Sequence, residues 1–435
     1  MMVNPTDRIL EQDGFLYGVN VPWLDKDSFG RGIGRNAHLD PDCSRFSLER
    51  FKNTFYNCKA IGFNCVRLWI LPFFEGIMYD EQGMAIGLDE EFVRNIRTVY
   101  ELAEAMDINL MITFHAHSRY LMRERVEAYK QYSKILFFPE HMQSYCEHCI
   151  APLARYFSNK SHVIMLDMIA EPEGDIEGDD GNYMEYGGTW KTMRTLMKMM
   201  GDTCKKYAPQ LPVTAASGWK YYESLRKGKY NDIGLDYIGV DIYNDTGELE
   251  PVDTLNCDKP VWLAEFGLSQ ESSTLWDEDL LTNATLSFYR NAIGQGYVGA
   301  FFWMYGYPEP WDALSLEDKD GRLRSVADEL HFLFMDRINQ NRGIRYEEPV
   351  ILYTNHPDYI AWFARRGAAA YRLERSEDLT RWETVQHVEA APSQKRVQTQ
   401  DASALPGHSY YYRVAAVLPD GDEVFSKTSP LCIAN

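Results

Sequence analysis

The feature that most constrains this chain is the apolar run Val163 to Ala170, closed by Glu171-Pro172. Lys160-Ser161 precede it, and an acidic, glycine-rich segment follows. A short apolar run with such boundaries suits a buried strand better than a helix. Pro172 cannot continue a sheet ladder, so the strand ends on one carboxylate followed by a break. The design recurs at Val261-Trp262-Leu263-Ala264-Glu265-Phe266-Gly267. Buried parallel strands that each end in an acid are how a (β/α)8 barrel arranges its reactive face.

The rest of the chain fits that frame. Strands are predicted at 14–20, 63–70, 108–114, 212–216, 236–243 and 297–303, besides the two above. Helical spacing appears at 46–61, 89–106, 141–157, 190–207, 277–295 and 325–338, where the last helix closes the barrel. Eight strands alternating with helices predict a (β/α)8 TIM barrel over residues 1–342. The loops at 21–45, 72–90 and 116–140 are long enough to be functional. Past Gly343 the pattern turns to short strands at 350–353, 359–363, 370–374 and 409–417, with a hairpin turn at Asp420-Gly421. Residues 343–435 therefore read as a small all-β sandwich.

Composition narrows the partners. The net charge of −20 argues against nucleic acid and anionic membranes. No apolar run is long enough to span a bilayer. Met1 to Asp7 lacks a basic stretch followed by an apolar one, which predicts a cytoplasmic protein or an exported one whose signal has been removed. The eight cysteines are scattered, in keeping with a reducing compartment. Cys146-Glu147-His148-Cys149 has metal-like spacing, but a lone pair is expected simply to share a helix face. The acidic segment from Glu173 to Gly181 has the composition of a calcium loop without its spacing, and is expected to be a solvated loop.

Breaking a glycosidic bond needs one carboxylic acid to protonate the leaving oxygen. A second carboxylate must attack the anomeric carbon or activate water. Glu171 and Glu265, on the fourth and seventh strands, would face each other across a closed barrel. They are the candidate catalytic residues, and the abundant Trp and Tyr supply ring faces for sugars.

With these residues in view, the sequence resembles the retaining glycosidases built on (β/α)8 barrels. Within them it is similar to glycoside hydrolase family 5, the cellulase and mannanase group, over roughly residues 14 to 335. The resemblance implies that Glu171 is the acid/base and Glu265 the nucleophile. It implies substrate contacts or site support from Arg67, His115, Tyr243 and Trp303, and places Asp241 beside them. The segment from Ser409 to Ser429 resembles the last two strands of a fibronectin type III domain. Two positions depart from the family pattern. Ala170 stands where an asparagine normally contacts the sugar 2-hydroxyl, and Asp241 where a histidine is usual. Asn244 and His117 are candidate substitute donors.

Some of these residues also have plain structural readings. Arg67 would serve in an ion pair, His115 and His117 as satisfied core histidines, and Asp241 as a cap. Trp303 would serve as core, and Trp23 and Trp69 more readily so. Trp219 and Trp311 are evenly placed between core and subsite, whereas Glu223, Glu309 and Asp312 read as loop charges.

The expected function is a retaining β-glycoside hydrolase acting by double displacement on a β-linked glucan, mannan or derived oligosaccharide, without metal or organic cofactor. Two other readings use the same residues. One is an exo-acting glycosidase or transglycosidase on an uncommon β-glycoside. The other is a carbohydrate-binding barrel with little or no activity.

Overall fold

The computed structural model describes residues 4–22, 46–72, 74, 76–117, 134–176, 188–306, 312–343 and 348–434. Trp23, Glu309 and Trp311, most of the 21–45 and 116–140 loops, and the acidic segment beyond Ile176 lie outside them.

Eight parallel strands close into a barrel. They are β1 (Leu16–Val21), β2 (Cys65–Trp69), β5 (Asn109–Ala116), β6 (Val163–Ala170), β7 (Val213–Ser217), β8 (Ile238–Tyr243), β9 (Val261–Gly267) and β10 (Gly299–Phe302). β1 closes the ring by pairing with both β2 and β10. A short antiparallel hairpin of β3 (Ile77–Tyr79) and β4 (Ala85–Leu88) lies within the 72–90 loop, which showed no strand pattern in sequence. All eight residues of β6 are buried, as its unbroken apolar character demands.

The helix Pro5–Asp13 was not anticipated. Asn4 caps it by accepting from the Thr6 amide, and Gly14, at φ 74°, ends it. Ile9 packs with Leu16, Ile164, Trp262 and Phe301, and the Thr6 hydroxyl donates to the Ile164 carbonyl at 2.7 Å. The helix thus stoppers the end where the strands begin and leaves the other end as the mouth.

The 141–157 segment is broken. Helices Pro139–Tyr145 and Ala151–Phe157 flank a π-helical turn at Cys146–Ile150. Cys146 and Cys149 therefore lie on a widened turn rather than on a regular α-helical face. Both are free and buried, and burial pushes the Cys146 thiol up to about 12.

The chain divides into two compact units, Met1–Lys52 with Phe63–Val326, and Asn53–Gly62 with Ala327–Asn435. The second contains two antiparallel sheets, each described in its strand order. The first is β11 (Val350–Ile351), β12 (Ile360–Phe363) and β15 (Arg396–Thr399). The other is β14 (Glu383–Glu389), β13 (Ala370–Ser376), β16 (Ser409–Val417) and β17 (Glu423–Phe425), with β18 (Cys432–Ile433) also on β16. Trp362, Tyr371, Leu373, Tyr412 and Val414 form its core. From Ala327 onward the last helix, Ser325–Arg342, belongs with these sheets rather than with the barrel. His331 stacks on Phe363 at 4.1 Å, and Asp328 and Asp336 pair with Arg396 and Arg366.

Candidate active site

Glu171 follows β6 directly, in the left-handed region at φ 55° and ψ 53°. A non-glycine residue pays for that conformation, and such strain gathers where geometry serves chemistry. The turn is fixed from both sides. The Glu171 amide donates to the Ala216 carbonyl at 2.8 Å, and its own carbonyl accepts from Gly174 at 3.0 Å. His117 Nε2 lies 3.1 Å from Glu171 Oε2. Gly218 follows β7, and a Cβ there would fall 2.0 Å from Glu171 Oε1. Glycine at 218 is what leaves the carboxylate its place.

Glu265, on β9, is 3% exposed. Tyr243 at the end of β8 donates its hydroxyl to Oε2 at 2.7 Å, and Arg67 Nη1 donates to Oε1 at 3.1 Å. Burial, reinforced by the nearby charge of Glu171, pushes the Glu265 carboxyl up to about 8; Arg67 and Tyr243 pull the other way. Burial raises the Tyr243 hydroxyl as well, helped by Glu265, so it remains a donor.

Arg67 is the hub of the barrel interior and is fully buried. Nε and Nη2 donate to Asp167 Oδ2 at 3.0 and 2.7 Å, and Nη1 also donates to Asn20 Oδ1 at 3.1 Å. Its guanidinium lies 4.8 Å from the Trp69 ring centre and 5.2 Å from that of Trp262. Burial works against its charge, but Asp167, Glu265 and Asp241 outweigh that and raise its pKa. Asn20 is itself anchored, its amide donating to the Ala264 carbonyl at 2.9 Å.

Asp241 lies on β8, in register with Glu265 on β9. Its carboxylate, that of Glu265 and that of Glu171 each offer an oxygen within 4.8 Å of the others. Among the described residues this is the one cluster of acids, histidines or cysteines tight enough to share an ion.

Residues 43–232 match the cellulase family, glycosyl hydrolase family 5. That stretch carries Arg67, His115 and Glu171. The chain is also similar to a mannan endo-1,4-β-mannosidase of Mytilus edulis, with 24% identity over 166 residues. The similarity covers 38% of this chain and 41% of that protein. Among solved structures, GH5_18 from Streptomyces cattleya, in complex with GlcNAc, superposes with a TM-score of 0.56 at 13% identity, over 76% of this chain and 82% of that one. An endo-1,4-β-mannanase from Eisenia fetida superposes with a TM-score of 0.52 at 17% identity, over 72% and 95%. These likenesses bear on the TIM-barrel fold.

His115, on β5, and His117, just past its end, part company. His117 reaches Glu171 and meets the Trp219 ring edge-on at 5.1 Å. His115 is turned inward, stacked on Phe74 at 4.2 Å with Nε2 3.7 Å from Asp175, and burial lowers its pKa. Trp303 meets Trp69 edge-on at 5.5 Å. Asn244 is occupied by its own turn. Its Oδ1 accepts from Gly247 at 2.7 Å and its amide donates to the Glu248 carbonyl.

Three supporting residues were missed in sequence: Asn20, Asp167 and Glu173. Asp167 is the one polar residue within the β6 run, which was a readable signal. Glu173, expected in a solvated loop, is instead fully buried. Ser217, Tyr230 and the Gly218 amide donate to its carboxylate at 2.7, 2.8 and 3.1 Å. Those bonds tie the turn after Glu171 to the end of β7.

Proposed function

We propose that this protein is a retaining β-glycoside hydrolase acting on a β-linked mannan, glucan or derived oligosaccharide. The observation that carries the reading is the proximity of Glu171 and Glu265, whose nearest carboxylate oxygens lie within 4.8 Å. Retaining enzymes hold their two carboxyl groups about 5 Å apart, whereas inverting ones leave room for a water at roughly 6.5–9.5 Å. In this reading Glu265 attacks the anomeric carbon while Glu171 protonates the leaving oxygen. The glycosyl-enzyme ester is then cleaved by a water that Glu171 deprotonates.

The surroundings suit those roles. Arg67 and Tyr243 fix both oxygens of Glu265, so the attacking atom is oriented before substrate arrives. His117 holds Glu171 from its other side. The Trp303 and Trp69 rings supply an apolar wall for the face of a sugar. A mannan is the favoured polymer because the mussel relative is an endo-1,4-β-mannosidase. For the second unit we propose a fibronectin III-like accessory module.

The test is turnover of aryl β-mannosides, aryl β-glucosides and β-1,4-linked oligosaccharides, with the anomer of the first product read by NMR. Glu265→Ala should abolish turnover by about 10⁴-fold or more. Glu171→Ala should cost roughly 10²- to 10⁴-fold on oligosaccharides, but less on aryl glycosides, whose leaving groups need no proton. An inverted first product, or activity indifferent to Glu265, would sink the mechanism.

A further inference from the structure

Among the described residues around Glu265, the carboxyl groups outnumber the cationic side chains that pair with them, Arg67 and His117. The carboxylates of Glu171, Asp241 and Glu265 converge within 4.8 Å. Arg67 divides its nitrogens between Asp167 and Glu265, and none of its bonds goes to Asp241. Asp241 is 1% exposed, and neither of its oxygens meets a hydrogen-bond donor among the described residues. A buried carboxylate without donors is costly to keep, and it marks a place where a ligand brings the missing partner.

The position of Asp241 says which part of a ligand it meets. If Glu171 and Glu265 flank the anomeric carbon, a carboxylate within reach of both reads a substituent one bond away. The two ring neighbours of that carbon are the ring oxygen, which carries no hydrogen, and C2. The residue before Glu171 is Ala170, so no side-chain polar group arrives from that position. A hydroxyl at C2 would give Asp241 one hydrogen bond and no charge. A protonated amine would give three N–H donors and a positive charge, and charge-assisted hydrogen bonds are the stronger kind.

We infer that the subsite beside Glu265 takes a 2-amino-2-deoxy sugar as its ammonium form, with Asp241 as the residue that selects it. This rests on the hydrolase reading above and names the substrate class for the same site. Asp241 is also held well above the usual carboxylate range by burial and by the charges of Glu265 and Glu171, a penalty that an arriving ammonium relieves. The N-acetylated sugar is expected to be a poor substrate, because its amide has no charge and is bulkier.

The experiment compares kcat/KM at pH 6 for 4-nitrophenyl 2-amino-2-deoxy-β-glycosides, the parent β-glycosides and the N-acetyl compounds, in both gluco and manno series. The wild type should prefer the amino sugar. In Asp241→Asn the amino-to-hydroxyl ratio should fall about 10- to 100-fold, the weight of a hydrogen bond to a charged group. A wild type that prefers the hydroxyl sugar, or a ratio unmoved in Asp241→Asn, overturns the inference and leaves the hydrolase reading intact. If no glycoside is cleaved, the hydrolase reading fails and calorimetry decides the inference alone. Glucosamine bound more tightly than glucose, with that margin lost in Asp241→Asn, supports it, and equal binding overturns it. Calcium, magnesium, manganese and zinc are titrated in parallel after EDTA treatment. A divalent ion bound by the wild type and lost in Asp241→Asn, with no preference for the amino sugar, overturns it in favour of a metal site.

Discussion

In the second unit, Asp401 is 4% exposed and surrounded by donors; at the barrel mouth, Asp241 is 1% exposed and meets none among the described residues. Arg375 and Tyr412 donate to one oxygen of Asp401 at 2.8 and 3.1 Å, and Ser403 donates twice to the other. Burial alone would raise the Asp401 pKa, but bonds from Ser403 and Arg375 outweigh it and hold the group below its ordinary value. Glu374 is treated the same way, accepting from Arg372 at 2.8 Å and Arg413 at 2.7 Å. At the mouth the balance runs the other way, and both Asp241 and Glu265 are pushed up. A carboxylate that serves packing is satisfied within the chain. One poised for a ligand is left short, and the fold carries the cost.

The contrast can be broken most directly at Asp401. Asp401→Ala should destabilise the second unit by about 3 kcal/mol, the usual penalty for stranding one member of a buried pair. Chemical denaturation of the full chain would measure it, and a neutral effect would show that the paired carboxylate is no stability element.

Stability against pH probes the other side. The folded pKa of Glu265, about 8, lies above its ordinary value of 4.5. The native state therefore holds an extra proton between those limits, and stability falls as pH rises through that window. Glu265→Gln cannot ionise, so its stability relative to wild type should improve from pH 5 to pH 7, by on the order of 2 kcal/mol. Melting curves at both pH values would show it; a constant difference would mean that Glu265 is ionised at no cost.

The smallest expected effect concerns Tyr243, which donates to the ionised form of Glu265. Tyr243→Phe removes a bond that lowers the Glu265 pKa, so the acid limb of kcat/KM should move to higher pH by about one unit. A limb that stays in place would separate that hydrogen bond from the titration.

Much of the barrel was legible because parallel strands buried on both faces are written as apolar runs, and their period survives in one dimension. The two glutamates were legible for the same reason: Glu171 follows one such run, and Glu265 interrupts another near the end of β9. The stopper helix was harder to see, since nine residues with few buried positions make little pattern. The π-helical turn at Cys146–Ile150 left no mark either, because one extra residue within a helix hardly disturbs its periodicity. In the second unit, β14 escaped notice because none of its seven residues is buried, so no apolar alternation marks it.

What the sequence by itself determined is the order of the eight barrel strands with the main helices between them, and where β6 stops. Those follow from local periodicity and from breaks such as Pro172. Only the tertiary structure decided which of two histidines near the end of β5 meets Glu171, that Asp167 and Asn20 share Arg67, and that Glu173 is buried rather than solvated. It also decided that Asp241 meets no donor among the described residues while Asp401 has four. These are properties of pairs brought together from distant strands. Whether a buried charge is matched depends on side chains that close approach in space, and not spacing along the chain, puts within reach.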